Sequence, residues 1–136
     1  MHTSILHFNN GQFSKAVRIL KKAHKSAVAL KDIHVWVKTL SMLARCYETP
    51  NYSGYQPEKA ERIYQKLFRI LDHHGMPIHK FHILMQYTEF LKSNHRISEA
   101  LETSVKAGII CQNFGLEKAY DKVRKVIDEL LIVAKT

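Results

Sequence analysis

The sequence predicts an all-α protein built from antiparallel helical hairpins. Three alanines, Ala16, Ala60 and Ala100, each lie near the start of a helix after a short polar turn, and this phrase recurs at intervals of about 40 residues. Apolar residues return every three or four positions over long stretches, and no segment has the pattern of a strand. Short turns between long helices make neighbouring helices antiparallel. The repeat indicates a helical array, because one hairpin cannot bury its apolar side alone.

Seven helical segments are predicted, the last of them a capping helix. They span residues 1–9, 13–30, 33–48, 58–74, 78–92, 97–113 and 116–134. Asp32 is a candidate N-cap, and Pro57 suits a first helical position. Asn9-Asn10-Gly11 is interpreted as a stop-and-turn, and Gly115 as a C-terminal cap. We expect residues 1–136 to form one domain.

The helix over residues 13–30 has an apolar side and a basic side. An arc of about 100° on a helical wheel is formed by Ala16, Ile19, Leu20, Ala23, Ala27 and Leu30. The opposite side, called the α1 basic face below, is formed by Lys15, Arg18, Lys21, Lys22 and Lys25. The first carboxylate of the chain is Asp32, so this segment concentrates the net charge of +9.

A net charge of +9 favours acidic partners such as nucleic acid, anionic lipid or an acidic peptide. The α1 basic face is the best candidate for nucleic-acid binding, because phosphate contacts need only clustered cations. No helix-turn-helix, zinc-finger or RNA-binding motif is present to read a base sequence. The alternative is a solubilising surface. Membrane adsorption is disfavoured, because the alanine-rich side is needed for packing.

The sequence predicts neither an enzyme nor a cofactor site. It has no Gly-rich phosphate loop, no paired catalytic carboxylates and no Ser/His/Asp pattern. Cys46 and Cys111 lie on separate predicted helices without a Cys-x-x-Cys motif, which favours two reduced, partly buried thiols over a disulfide or a zinc site. A catalytic thiol would need a base beside it, and none can be assigned. Without a long apolar run or a signal peptide, we expect the cytoplasm or another reducing intracellular compartment, and no membrane partner.

Four histidines cluster around the turn at residues 75–77. They are His73, His74, His79 and His82. Imidazoles can hold zinc or copper, but a structural zinc site needs four well-spaced ligands, and no cysteine or carboxylate completes this set. Cationic histidines near a helix C-terminus are the favoured interpretation, so no metal is predicted.

The repeated phrase resembles the tetratricopeptide (TPR) family, in which a helix A with large residues alternates with a helix B opened by a small one. The three alanines match the small helix-B residue of the family. Its helix-A positions are matched by Leu40, Leu43, Ala44, Tyr47, Leu84, Tyr87, Thr88 and Leu91. From each of the first two alanines to the next helix A, the chain is about six residues longer than the 34-residue family pattern. The resemblance implies a right-handed superhelix of three hairpins, the first incomplete.

The resemblance also implies a function, because TPR arrays mostly bind segments of partner proteins in a groove lined by A helices. The sequence therefore predicts a non-enzymatic adaptor, scaffold or regulatory module. The matching groove residues are Lys38, Ser41, Arg45 and Glu48 in one helix and His82, Met85, Glu89 and Lys92 in the next. Lys38 and Arg45 would pair with carboxylates of an acidic partner. The alternative for these residues is an ordinary solvated helix face.

Three further expectations concern single features. The incomplete first hairpin would leave the helix over residues 13–30 partly uncovered, which predicts self-association or a heterologous partner. Tyr52 and Tyr55, in the loop before Pro57, would either contact a ligand or fold back on the array. Trp36, the only tryptophan, is expected to be largely packed.

Overall fold

The structure is a computed structural model that describes residues 10–136. Six α-helices follow in chain order: α1 (Asn10–Leu30), α2 (Ile33–Tyr47), α3 (Pro57–His73), α4 (Pro77–Ser93), α5 (Ile97–Asn113) and α6 (Glu117–Lys135). None of these residues lies in a strand. The all-helical prediction is therefore confirmed for residues 10–136. The expected helix over residues 1–9, and with it the incomplete first hairpin, lies outside the described residues.

Local capping signals predicted from the sequence are found at two helix ends, the start of α2 and the end of α5. The Asp32 side chain accepts a hydrogen bond from the Val35 N–H at 3.3 Å, as an N-cap does. Gly115 follows the end of α5 with a left-handed φ of 66°, which glycine adopts without steric cost. The predicted turn at Asn10-Gly11 is wrong, because both residues lie in the first turn of α1. A first turn tolerates them, since its N–H groups have no intrahelical partner to lose.

The contacts divide the chain into two compact units, Met1–Ile70 and Leu71–Thr136. In the first unit α1 packs against α2, and in the second α5 packs against both α4 and α6. Only two or three residues connect the helices of each packed pair. Such short connections make the pairs antiparallel hairpins.

The core of the first unit contains the buried side of α1, which overlaps the predicted side at Leu20 and Ala27 but is rotated away from the rest of it. Its buried apolar residues are Phe13, Val17, Leu20 and Ala27. Ile19 and Leu30, which were expected to pack, are 52% and 79% exposed. Burying the aromatic ring of Phe13 removes more apolar area from water than burying an alanine, so the helix presents this side to the core.

The loop between α2 and α3 folds back on the first unit through Tyr52. The Tyr52 ring stacks on Phe13 with 5.6 Å between ring centroids and lies 6.4 Å from the Tyr47 ring. A Cβ at Gly54 would overlap the Tyr52 ring, so glycine permits this close approach. Tyr55 stays exposed. Of the two alternatives for this loop, contact with a ligand or folding back on the helices, Tyr52 is found in the second.

The core of the second unit combines large residues of α4 with small residues of α5. Its buried members include Phe81, Leu84, Phe90, Leu91, Ala100, Ser104, Ala107, Cys111, Val123 and Leu130. The buried hydroxyls of Thr88 and Ser104 each donate a hydrogen bond at 2.8 Å to a carbonyl of the preceding helical turn. These bonds satisfy polar groups that would otherwise be costly to bury.

Substituting Gly108 by alanine is expected to stabilise the protein by about 1 kcal/mol, because glycine costs conformational entropy inside a helix. Gly108 is buried in α5, and an added Cβ would lie 3.5 Å from the nearest side-chain atoms of Tyr120 and Val123, which is ordinary van der Waals contact. Gly115→Ala is the matched control and should destabilise by about 1 kcal/mol, since its φ is left-handed. Thermal unfolding followed by circular dichroism measures both. Equal shifts in the same direction would contradict the prediction.

Candidate functional site

Helix α2 presents a buried side and a solvent side. The buried side is formed by Val37, Leu40, Leu43, Ala44 and Tyr47. Lys38 and Arg45 are exposed, and Ser41 is half-buried. Spacings of three and four residues place these three on one side of the helix. We call them the α2 row.

Glu48 does not continue the α2 row into solvent, although the resemblance placed it there. Its carboxylate accepts a hydrogen bond from the hydroxyl of Tyr64, a fully buried residue of α3. Burial raises the pKa of Glu48 to about 7, whereas the Tyr64 hydrogen bond and the Arg45 charge act to lower it. Glu48 therefore titrates near neutral pH at the edge of the core. The sequence carries no local signal that joins residues 48 and 64.

The second unit carries the other predicted contact residues on α4. His82 and Glu89 are exposed, and Met85 is half-buried. The same three- and four-residue spacing places these three residues on one side of the helix, and we call them the α4 row. The His82 ring meets the Phe81 ring edge-on with 5.1 Å between centroids. Lys92 Nζ lies 3.7 Å from a carboxylate oxygen of Glu129, so it is engaged within the unit. The α2 row and the α4 row hold six of the eight predicted groove residues, three in each unit.

All five side chains of the α1 basic face are exposed. None of them forms an ion pair with another of the residues 10–136. A second set of cations, which sequence reasoning missed, lies on α3 at four- and three-residue spacing: Arg62, Lys66 and Arg69, all exposed. Their helical spacing was the signal that could have found them.

Burial and the charge of Lys66 lower the pKa of His24, a residue of α1. His24 Nδ1 lies 3.3 Å from Thr39 Oγ1, and its ring centroid is 6.3 Å from that of Trp36. Trp36 is half-buried, so the packing expected for it is met only in part. Its indole nitrogen is buried without a hydrogen-bond partner among the described residues.

Both cysteines are free and buried, at 0% and 1% exposure. Burial, with the nearby charge of Glu48, raises the pKa of Cys46 to about 11, and burial raises the pKa of Cys111. A thiol with a raised pKa stays protonated at neutral pH, and the protonated form is neither a strong nucleophile nor a metal ligand. Both cysteines therefore act as core residues.

The histidine cluster lies on the surface of the second unit. His73, His74, His79 and His82 are all exposed, and the first two rings meet edge-on at 4.9 Å between centroids. Within residues 10–136, no group of three or more histidine, cysteine, aspartate or glutamate side chains is arranged to hold a metal ion.

Comparison with known proteins assigns no site. No protein-family model matches the sequence, and neither the curated proteins nor the solved structures contain a significant match. No helix in the described part of the chain has the length and apolar character that crossing a membrane requires.

Proposed function

We propose that this chain is a non-enzymatic protein-interaction module of TPR-like helical hairpins that binds a segment of a partner protein. The observation that carries the proposal is the α2 row. Its other side is packed into the core of the first unit, so Lys38 and Arg45 are held on a rigid helix about 10 Å apart along its axis. Rigid side chains at fixed spacing lose little entropy when they bind a ligand.

The TPR-like architecture is supported by the burial of two of the repeated alanines. Ala60 and Ala100 are both 0% exposed, as a small residue at a close helix contact must be. The residues four positions later, Tyr64 and Ser104, are also 0% exposed. Ala16 is only half-buried. We propose that these hairpins belong to a right-handed TPR-like stack.

The chemistry of the α2 row favours an acidic segment. Lys38 forms no ion pair with another described residue. Below about pH 7 the raised pKa of Glu48 keeps its carboxyl largely protonated, so this neighbour does not neutralise Arg45. A guanidinium with unused donors binds a carboxylate through two parallel hydrogen bonds. In the second unit, the α4 row offers His82, Met85 and Glu89 as mixed polar and apolar contacts.

The double substitution Lys38→Glu plus Arg45→Glu is expected to weaken binding of acidic peptides by about 30-fold or more, because it replaces two attractive charges by two repulsive ones. Binding is measured with an array of peptides that end in acidic residues and a free carboxylate, beside amidated neutral versions. The matched control is Lys118→Glu plus Lys125→Glu on α6, two exposed cations with the same seven-residue spacing.

The control variant should bind the same peptides as the unchanged chain. Two results would contradict the proposal: selection of no acidic peptide by the unchanged chain, or equal binding by both double variants. Circular dichroism of each variant checks that the helices are intact.

A further inference from the structure

We propose that the exposed cations of the first unit, on the α1 basic face and on α3, bind the sugar–phosphate backbone of nucleic acid without reading its base sequence. These cations include none of the residues of the α2 and α4 rows. They therefore carry a second binding activity, which succeeds or fails independently of peptide binding.

The first set of these cations is the α1 basic face. Its five cations fall in an arc of about 120° and extend along about 15 Å of the helix axis. All five are exposed, and none is neutralised by an ion pair within the described part of the chain. Such uncompensated cations attract a row of phosphates and release their condensed counterions.

The second set of these cations is the row Arg62, Lys66 and Arg69 on α3. All three cations belong to the same compact unit as α1, and the charge of Lys66 reaches His24 of that helix. None of the three α3 cations forms an ion pair with a residue that the structure describes. Exposed carboxylates flank the row at the same helical spacing, Glu58 before Arg62 and Asp72 after Arg69, and Asp72 pairs with Lys80. The two sets thus present eight cations from two helices.

The surroundings of these two sets favour a phosphate backbone over a protein or a membrane. Protein interfaces place charges around an apolar, often aromatic centre, whereas the Phe and Tyr residues of α1 and α3 are buried (Phe13, Tyr64) or half-buried (Phe68). A membrane-adsorbed helix inserts its apolar side, but Phe13, Val17 and Leu20 are already buried in the core. The lack of stacking or groove-reading groups limits recognition to the backbone.

The test measures binding of the full chain to a fluorescein-labelled DNA duplex of about 20 base pairs by fluorescence anisotropy. For four phosphate contacts, affinity should fall about 100-fold between about 50 and 200 mM salt, and a second duplex of unrelated sequence should bind equally. Vesicles containing phosphatidylserine and a polyglutamate peptide serve as alternative polyanions at the same salt.

The deciding variant replaces Lys21, Lys22, Arg62 and Lys66 by Gln. It should bind the duplex at least about 30-fold more weakly at about 50 mM salt and show a salt slope smaller by about 2 to 4, because up to four phosphate contacts are lost. The matched control replaces Lys118, Lys122, Arg124 and Lys125 of α6 by Gln. It removes the same charge from exposed positions of the second unit and should change affinity less than about threefold.

Three results would overturn the proposal. The unchanged chain fails to bind the duplex at low salt, the two quadruple variants lose affinity equally, or vesicles or polyglutamate bind as tightly as the duplex. Circular dichroism excludes loss of folding as the cause. The α3 contribution is tested alone with Arg62→Gln plus Lys66→Gln, which should lower the salt slope by about 1 to 2.

Discussion

Replacing Glu48 by Gln is expected to stabilise the protein by about 3 kcal/mol at about pH 8 and to change its stability little below about pH 4.5. The reason is the partial burial of this carboxyl, which raises its pKa from 4.5 to about 7. A glutamine side chain at this position would be neutral at every pH, while its amide oxygen can still accept the hydrogen bond from Tyr64.

Because the pKa of Glu48 is raised on folding, ionisation of this carboxyl destabilises the folded chain. Below pH 4.5 the carboxyl is protonated in both the folded and the unfolded chain, so it favours neither. Between pH 4.5 and about 7 the unfolded chain releases the proton while the folded chain retains it, and stability falls by about 1.4 kcal/mol per pH unit. Above about pH 7 the loss is complete.

Urea unfolding of the unchanged chain and of the Glu48→Gln variant at several pH values measures the difference in their free energies of unfolding. Glu102→Gln, at an exposed position of α5, is the control and should show no such pH-dependent gain. Tyr64→Phe removes the hydrogen bond that favours the ionised carboxyl, so it should cost more stability at about pH 8 than at about pH 5. A Glu48→Gln effect that is the same at every pH would contradict the prediction.

Enlarging the repeated alanines is expected to destabilise the protein strongly. Ala60→Leu and Ala100→Leu should each cost about 3 kcal/mol, because both alanines are fully buried and a larger side chain must displace packed neighbours. For a chain of this length the cost lowers the melting temperature by about 10 °C. Differential scanning calorimetry measures the change.

The matched substitutions are on α1. Ala16→Leu, at a half-buried position, should cost less than the two core substitutions, and Ala29→Leu, at an exposed position, should change stability by less than about 0.5 kcal/mol. Neutral behaviour of Ala60→Leu and Ala100→Leu would mean that these alanines do not mark close helix contacts. The TPR-like proposal would then lose the residues that motivate it.

Helix type and most helix limits follow from local sequence. The predicted segment over residues 97–113 coincides with α5, and the other five described helices begin and end within three residues of the prediction. The Asp32 N-cap and the left-handed Gly115 could also be predicted from the sequence, because a helix cap depends on hydrogen bonds within a few residues. The exposure of Lys38 and Arg45 likewise follows from helical periodicity opposite buried neighbours.

The sequence by itself therefore determined which of the described segments are helical, most of their limits, and the exposure of Lys38 and Arg45. Only the tertiary structure decided which side of α1 is buried, that Tyr52 stacks on Phe13, and that Glu48 meets Tyr64. Helix formation depends on neighbours within one or two turns, whereas burial depends on residues brought close from elsewhere in the chain. The raised pKa of Glu48 depends on tertiary packing, because its carboxyl is desolvated only after α3 has packed beside the end of α2.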